Sequence, residues 1–476
     1  MADWARFPIG QPLAPGQAHF GTDGIRGRVG ELITPLLALQ LGYWSGQVFT
    51  AGGPVVIGRD SRASGPMLVA ALAAGLTAAG REVFDLGLCP TPAVPGAIRR
   101  LGASGGLMVS ASHNPPGDNG IKAFGACGAK LAKAQQAAIE AGLQGSAGQQ
   151  SSAGPQGSGA QLPQQLAGDG RWYERSDLLA DYRQSLLDSV QGARLDGVKL
   201  VLDLCWGSAT SCGEELFRQL GAELTVLHGS PDGSRINQAC GSTHLEPLRA
   251  AVLERGAAMG FAFDGDADRM LAVDGKGRVV DGDQVLYLWG QELMARDRLP
   301  QNRIVATVMS NLGFERAWQR RGGLLERTAV GDQYVYAAME EHGAALGGEQ
   351  SGHILAADYG MSGDGLLTAL QVATLVARQG GSLADWMDES FSPYPQKLVN
   401  VTVADKLRRS GWAQCQPLQE AVLAAEAAMA GSGRVLVRAS GTEPLLRVMV
   451  EAAHQADVDH WCAHLATLAD QHLNAA

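Results

Sequence analysis

GPVVIG at residues 53–58, SGPMLVAALAAGLTAAG at 64–80 and GLMVS at 106–110 decide the fold class. Two apolar runs of strand length bracket a small-residue run in which a helix is expected over 67–79, and that alternation is the βα rhythm of a parallel sheet. The first third of the chain is therefore expected to be α/β. A second series runs through VKLVLDL (198–204), LTVLH (224–228) and GFAF (260–263), with RMLAVD (269–274) returning as a strand. A third takes RIVATVM (303–309), LLERTAV (324–330) and HILAAD (353–358), separated by helices around 312–321 and 333–342. After Pro393 and Pro395 the pattern changes to LVNVTV, an Ala-rich helix near 411–430, RVLVRAS, LLRVMVEAA and a final helix, which reads as a small α+β domain. The expected units are 1–172, 173–280, 281–392 and 393–476. Residues 144–168, rich in Gln, Gly and Ser without a charged side chain, predict a mobile surface loop inside the first.

Length alone, 476 residues, suggests about three domains; the strand and helix rhythm makes four. The 63 glycines follow no G-X-Y period, which excludes collagen and favours loop-rich architecture. With 38 Lys and Arg against 48 Asp and Glu, the net charge of -10 disfavours nonspecific binding to nucleic acid or anionic membranes. Seven cysteines without a C-x-x-C pair form no disulfide framework and suit a reducing compartment. MADWARFPIG, at 1–10, lacks the apolar core of a secretory signal, so the cytoplasm is the expected location. The uncharged stretch 32–58 is long enough to span a bilayer, but Pro35, Gln40, Gln47, Gly52, Gly53 and Pro54 interrupt it, and it reads as helix, turn and strand.

Five short segments carry chemistry. In MVSASHNPPGDNGIK (108–122) an apolar strand ends in Ser110, Ser112, His113 and Asn114 before a Pro/Gly turn. Ser112 is there a nucleophile or phosphoryl carrier and Lys122 an acid/base or phosphate partner, unless the segment is only a capped polar turn. In FDGDADR (263–269), Asp264, Asp266 and Asp268 recur at alternate positions between two strands. Such carboxylates repel one another unless a cation binds. A calcium loop counted from Asp264 would need Gly and Glu where Arg269 and Gly275 stand, so Mg²⁺ on hard oxygens is the expected ion, against an ordinary solvated acidic turn. GTDGIRG (21–27), with Arg26 in a glycine turn, and RASGTEPLLR (438–447), with Arg438, Ser440, Gly441, Thr442 and Arg447, read as anion receptors or as ordinary turns with surface arginines. GGEQSGH (347–353) offers Glu349, Ser351 and His353 to sugar hydroxyls, or is a tight connection before a strand. GASGG (102–106) fits the hydrolase pattern around Ser104, but the strand follows the serine instead of preceding it, and it is discounted.

SASHNP, DGDADR, GEQSGH and RASGTEPLLR, in this order over nearly the whole chain, resemble the α-D-phosphohexomutase superfamily, and most closely its bacterial amino-sugar members. The resemblance implies four domains, three related α/β units and a smaller α+β unit, each giving one loop to a central cleft. It implies that Ser112 is phosphorylated and that its phosphate helps Asp264, Asp266 and Asp268 ligate one Mg²⁺ per subunit. Arg26, Lys122 and Arg269 match positions around the transferring phosphoryl group, and His113 beside Ser112 is counted with the catalytic residues. Glu349, Ser351 and His353 match the sugar loop; Arg438, Ser440, Gly441, Thr442 and Arg447 match the site of the non-transferring phosphate. The expected reaction interconverts glucosamine 6-phosphate and glucosamine 1-phosphate through glucosamine 1,6-bisphosphate, supplying UDP-N-acetylglucosamine synthesis. Gln350 and the segment VMSNLG (308–313) favour the amino sugar. The alternatives are the mannose and glucose phosphate mutases of the same superfamily, or a non-catalytic phosphosugar-binding protein. A homodimer and an activating kinase are candidate partners. Ala267, Ala439 and Gln333 depart from the family pattern, the last where a basic residue is usual.

Overall fold

The computed structural model describes residues 18–144, 170–440 and 444–474. Four sheets follow one another along the chain. The first orders its strands as Ile25–Arg28, Asp118–Gly125, Gly105–Val109, Val55–Arg59, Val83–Leu88 and Trp172–Glu174. The second runs Val279–Val280, Met270–Asp274, Met259–Phe263, Lys199–Asp203 and Glu223–Leu227. The third runs Leu324–Thr328, Arg303–Thr307, Leu346–Gly348 and Ile354–Ala356. These three share one plan. Three parallel strands joined through helices end in a hairpin that turns the sheet antiparallel at one side. The fourth sheet, Gln396–Thr402, Leu445–Ala452 and Gly433–Ala439, is antiparallel throughout.

The apolar patterning explains the layering. Strands such as Gly105–Val109 and Met259–Phe263 are buried at every position, as expected of strands covered on both faces. The stretch 32–58 forms the helix Pro35–Val48, capped by Thr34 on the amide of Leu37, and then the strand Val55–Arg59. Among the described residues no helix is long and apolar enough to cross a membrane. Ser104 is buried with its hydroxyl on the carbonyl of Pro54 ahead of its strand, so it is no nucleophile. Some expectations change. Arg26 lies on the strand Ile25–Arg28, paired with Asp118–Gly125, and not in a glycine turn; Lys122 is on that partner strand. Trp172–Glu174 pairs with Val83–Asp85 and so straddles the boundary expected after residue 172. The helix expected near 411–430 begins only at Gln416, with Pro417 in its first turn, where a missing N–H costs nothing. The loop expected at 144–168 lies, apart from Gln144, outside the described residues, as do residues 1–17.

One continuous apolar core runs from the first sheet (Val56, Met108) through the second (Leu202, Phe261) to the third (Ile304, Trp318), fastened by the buried helix Gly365–Gln379. The fourth sheet has a core of its own, with Val401, Leu418, Val448 and Leu465. Its tie to the rest is polar. Arg434 donates to the carbonyls of Val308 and Ser310, both at 2.7 Å, and Glu451 pairs with Arg434 while accepting from the amide of Leu312. Beneath this joint Asp283 accepts from the amide of Asn311 at 2.7 Å. Burial and the neighbouring Asp281 push its carboxyl up to about 8. A carboxyl raised on folding binds its proton more tightly in the native state, so stability is lost as pH rises from the ordinary range near 4 towards about 8. Asp283→Asn is therefore expected to melt with a flatter pH profile across this window; an unchanged slope would contradict the burial argument.

Candidate active site

Four of the five chemical segments are hairpin loops. The serine loop joins Gly105–Val109 to Asp118–Gly125, and the acidic loop joins Met259–Phe263 to Met270–Asp274. The Glu349 loop joins Leu346–Gly348 to Ile354–Ala356, and the arginine loop joins Gly433–Ala439 to Leu445–Ala452. The shared plan of the first three sheets thus puts each of the first three loops at the equivalent strand end.

Ser112 is fully buried with φ +51°. A serine so placed must have its backbone fixed by neighbours, since buried carbonyls require donors. Its amide donates to Ser110 Oγ, which donates to Asp60 Oδ2 at 2.7 Å. Asp60 forms a fully buried ion pair with Arg62 at 3.0 Å. The Arg62 guanidinium then donates to the carbonyls of Ser112, Asn114, Pro115 and Asp118. Asn237 Nδ2 holds the carbonyls of Ser112 and Asn114 from the second sheet's side, at 2.8 and 3.0 Å. The hydroxyl left over donates to Asp264 Oδ2 at 2.5 Å and lies 3.2 Å from His113 Nδ1.

Asp264, Asp266 and Asp268 are buried, with carboxylate oxygens within 4.8 Å of one another. Lys122 reaches across from the first sheet, 2.7 Å from both Asp266 Oδ2 and Asp268 Oδ2 and 3.2 Å from Asp23. Thr91 donates to Asp266 Oδ2 at 2.6 Å. Oδ1 of Asp266 and Oδ1 of Asp268 remain buried without a hydrogen-bond partner. These orphaned hard oxygens, with no soft donor among them, fit a divalent cation. Ala267 sits at φ +57°, a conformation that costs a residue with a Cβ about 1–2 kcal/mol and favours glycine. Its side chain leaves the three carboxylates in place.

The electrostatics divide the roles. Burial works against the charge of Lys122, but Asp23, Asp266 and Asp268 outweigh it and hold the amine well above its ordinary range. Lys122 thus stands as a cation against these three carboxylates. Burial, with Asp268 and Asp266 beside it, raises the Asp264 carboxyl, whereas Lys122 and His353 lower that of Asp268 against burial. Burial, with Arg269 and Arg26 nearby, brings His113 down to about 4, so its imidazole is neutral at neutral pH. Arg26 pairs with Asp23 and reaches the carbonyl of Ala111; Arg269 leaves Nε without a hydrogen-bond partner, 3.9 Å from Asp268 Oδ1.

Glu349 accepts from the amide of Gly331 and faces Ser351, and both side chains are partly exposed. His353 behaves differently from the expected sugar contact. Its ring is buried 3.6 Å from Asp268 and 3.4 Å from Asp332, and although burial opposes it, these carboxylates raise it to about 10. It is a positive strut between the second and third hairpins. Gln350 donates to Asp281, and Ser310 and Asn311 are buried at the joint to the fourth sheet, so the two segments that suggested an amino sugar serve structural contacts here. Beside Gln333, Lys130 bridges Asp332 and Asp23, each at 2.6 Å, and supplies a cation at that edge. In the fourth hairpin Arg438 and Arg447 stand directly opposite each other across antiparallel strands. Like charges so placed repel unless an anion lies between them. Ser440 is buried next to them; Gly441 and Thr442 lie outside the described residues.

Asp60, Arg62, Thr91, Asn237, Lys130 and Asp332 were missed as site residues. Asp60 and Arg62 carried a readable signal, because RDSR follows GPVVIG at the carboxyl end of a parallel strand, where sites form in open α/β sheets. Asn237 carried none.

Models of the phosphoglucomutase/phosphomannomutase family match in order: α/β/α domain I at 17–149, domain II at 180–277, domain III at 281–394 and the C-terminal domain at 398–468. A phosphoglucosamine mutase of Prochlorococcus marinus (strain MIT 9313) is 68% identical over 467 residues, 98% of either chain. The chain belongs to this family. A family protein of known structure from Burkholderia thailandensis superposes with TM-score 0.79 at 26% identity, covering 95% of this chain and 97% of that one. N-acetylphosphoglucosamine mutase of Aspergillus fumigatus, solved with GlcNAc-6P and magnesium, shares the fold at TM-score 0.67 and 17% identity over 98% of both chains. The four-domain architecture of the family is therefore the one described above.

Proposed function

We propose that the protein interconverts glucosamine 6-phosphate and glucosamine 1-phosphate, with Ser112 as phosphoryl carrier. The observation that carries this reading is the buried Ser112 hydroxyl 2.5 Å from Asp264, in a carboxylate cluster tied to the serine's own sheet by Lys122. The 68% identity to a protein named phosphoglucosamine mutase supports the choice of substrate. Phosphate on Ser112 passes to the free hydroxyl of the monophosphate: the Oγ–P bond breaks, a new O–P bond forms, and the displaced proton goes to a base. Ser112 Oγ, freed of phosphorus, is where that proton finally rests; His113 lies 3.2 Å from it, with burial, Arg269 and Arg26 disfavouring a proton on its ring. The bisphosphate turns over and returns its other phosphate to Ser112, releasing the isomer. Lys122, Arg26 and Arg269 offset the charge spread over the phosphoryl oxygens. Asp264, Asp266 and Asp268 would hold Mg²⁺, which when bound supplies further charge to phosphoryl oxygens. Glu349 and Ser351 would meet sugar hydroxyls.

Arg438, Ser440, Gly441, Thr442 and Arg447 would anchor the phosphate that stays. Arg447→Ala is expected to raise KM roughly ten- to hundredfold with kcat little changed, the loss of one charged hydrogen-bonding partner; steady-state kinetics checks this. The separate core of the fourth unit supports its movement during turnover. Seven free thiols suit a reducing cytoplasm. The first phosphate on Ser112 would come from the bisphosphate or from an activating kinase. Rates on glucosamine, glucose and mannose 6-phosphates, with Mg²⁺ and bisphosphate present, test the reading. Glucosamine 6-phosphate should be preferred; a roughly hundredfold preference for mannose 6-phosphate would overturn it.

A further inference from the structure

Behind the serine loop lies a thiol pair with no part in the transfer chemistry. Cys205 ends the segment after the strand Lys199–Asp203, and Cys240 precedes the short turn Gly241–Thr243. Both are fully buried, with sulfurs 3.8 Å apart. Cys205 donates to Asn237 Oδ1 at 3.1 Å, and Asn237 Nδ2 donates to the carbonyls of Ser112 and Asn114. The thiol pair is therefore two contacts from the phosphoryl carrier.

Its surroundings suit thiol chemistry. Asp203 accepts from His228 at 2.8 Å, and the ligating atoms of Asp203, His228 and Cys240 lie within 4.8 Å of one another, so a carboxylate-supported imidazole faces the Cys240 sulfur. Cys240 donates to the Cys205 sulfur, and His228, held by Asp203, lies beside the Cys240 sulfur to take its proton, which makes Cys240 the attacking thiol and Cys205 the resolving one. Among the described residues twelve non-glycine residues have positive φ, and Cys205, Trp206, Asn237 and Ala239 lie in these two segments, with His228 beside them. Backbone strain gathers where a local structure has two states to choose between.

We propose that Cys205 and Cys240 form a redox modification site, joined into a disulfide by hydrogen peroxide, and that this bond loosens the serine loop through Asn237. Cys240 thiolate attacks the peroxide, the O–O bond breaks, and water leaves a sulfenic acid on Cys240. Cys205 sulfur then displaces the hydroxyl as a second water, so two thiols have lost two electrons and two protons to the peroxide. An S–S bond of about 2.05 Å draws the sulfurs well inside their present 3.8 Å and removes the proton that Cys205 gives Asn237. The pull also reaches the acidic loop. Ser208 donates to the carbonyl of Gly265 at 2.9 Å, and a Cβ on Gly207 would lie 2.5 Å from the same oxygen, so the chain after Cys205 cannot shift without moving that loop. Arg62 keeps its own hold on Ser112, and the loop weakens without being released.

The full-length protein, in a background where exposed Cys127 is replaced by Ser, is treated with hydrogen peroxide and read in three ways. Non-reducing peptide mapping should show a Cys205–Cys240 link. Amide hydrogen exchange should quicken across residues 110–118. Mutase rate should fall roughly two- to tenfold, the effect of one lost hydrogen bond, and dithiothreitol should reverse all three. Cys240→Ser, with Cys240→Ala in reserve should the serine misfold, should resist. Mapping and exchange are read whether or not the protein turns over a sugar phosphate, so they stand apart from the proposed activity. No link, a link without change in exchange, or equal sensitivity in the Cys240 variants would overturn the proposal.

Discussion

Ser112→Ala should lose turnover by about 10⁴-fold or more, the scale seen when a nucleophile that acts as part of a unit is removed. The substitution deletes only the oxygen that carries phosphate. The loop it sits in is held through backbone carbonyls by Arg62 and Asn237, and neither contact touches the hydroxyl. Asp264 loses one donor, and the cation its cluster would hold satisfies the freed oxygen. The variant should therefore melt near the wild-type temperature and still bind the bisphosphate. Wild-type turnover in the alanine variant would refute the carrier role, and a large loss of stability would show that the hydroxyl, not the backbone clamp, holds the loop.

Arg62→Ala should lower both stability and rate. Asp60 would keep a buried charge without its partner, a change that costs about 3–5 kcal/mol, and four carbonyls would lose donors. Denaturant melts measure the first effect and kcat the second. The pair Asp60→Asn with Arg62→Met separates them. Removing both charges should recover much of the stability, whereas the rate should stay low because the serine loop has lost its clamp. Recovery of both would mean that Arg62 stabilises the fold without positioning Ser112.

Much of the fold is legible in the sequence because its strands are short, apolar and punctuated: VVIG, GLMV and GFAF fall within or next to the observed strands. The loops that carry chemistry are legible for the same reason, since each polar segment interrupts an apolar hairpin. Other features are set by contacts between distant segments. Arg26 reads as part of a turn because glycines flank it, yet pairing with Asp118–Gly125 makes it a strand. His353 reads as a sugar ligand until Asp268 and Asp332 are seen on either side of its ring. Asn237 is one polar residue in a polar stretch, and only the approach of the second unit to the serine loop gives it a task. The net charge of -10 likewise conceals Lys122, Arg26, Arg269, Arg438 and Arg447 at the proposed phosphate sites.

The most direct test of the central claim follows the phosphate. Protein carrying radiolabelled phosphate on Ser112, confirmed by peptide mass, is mixed with unlabelled glucosamine 6-phosphate and Mg²⁺ and quenched within a turnover. The account predicts that label leaves Ser112 and appears first in glucosamine 1,6-bisphosphate, then in the monophosphates. Label that stays on Ser112, or appears only as inorganic phosphate, would contradict it.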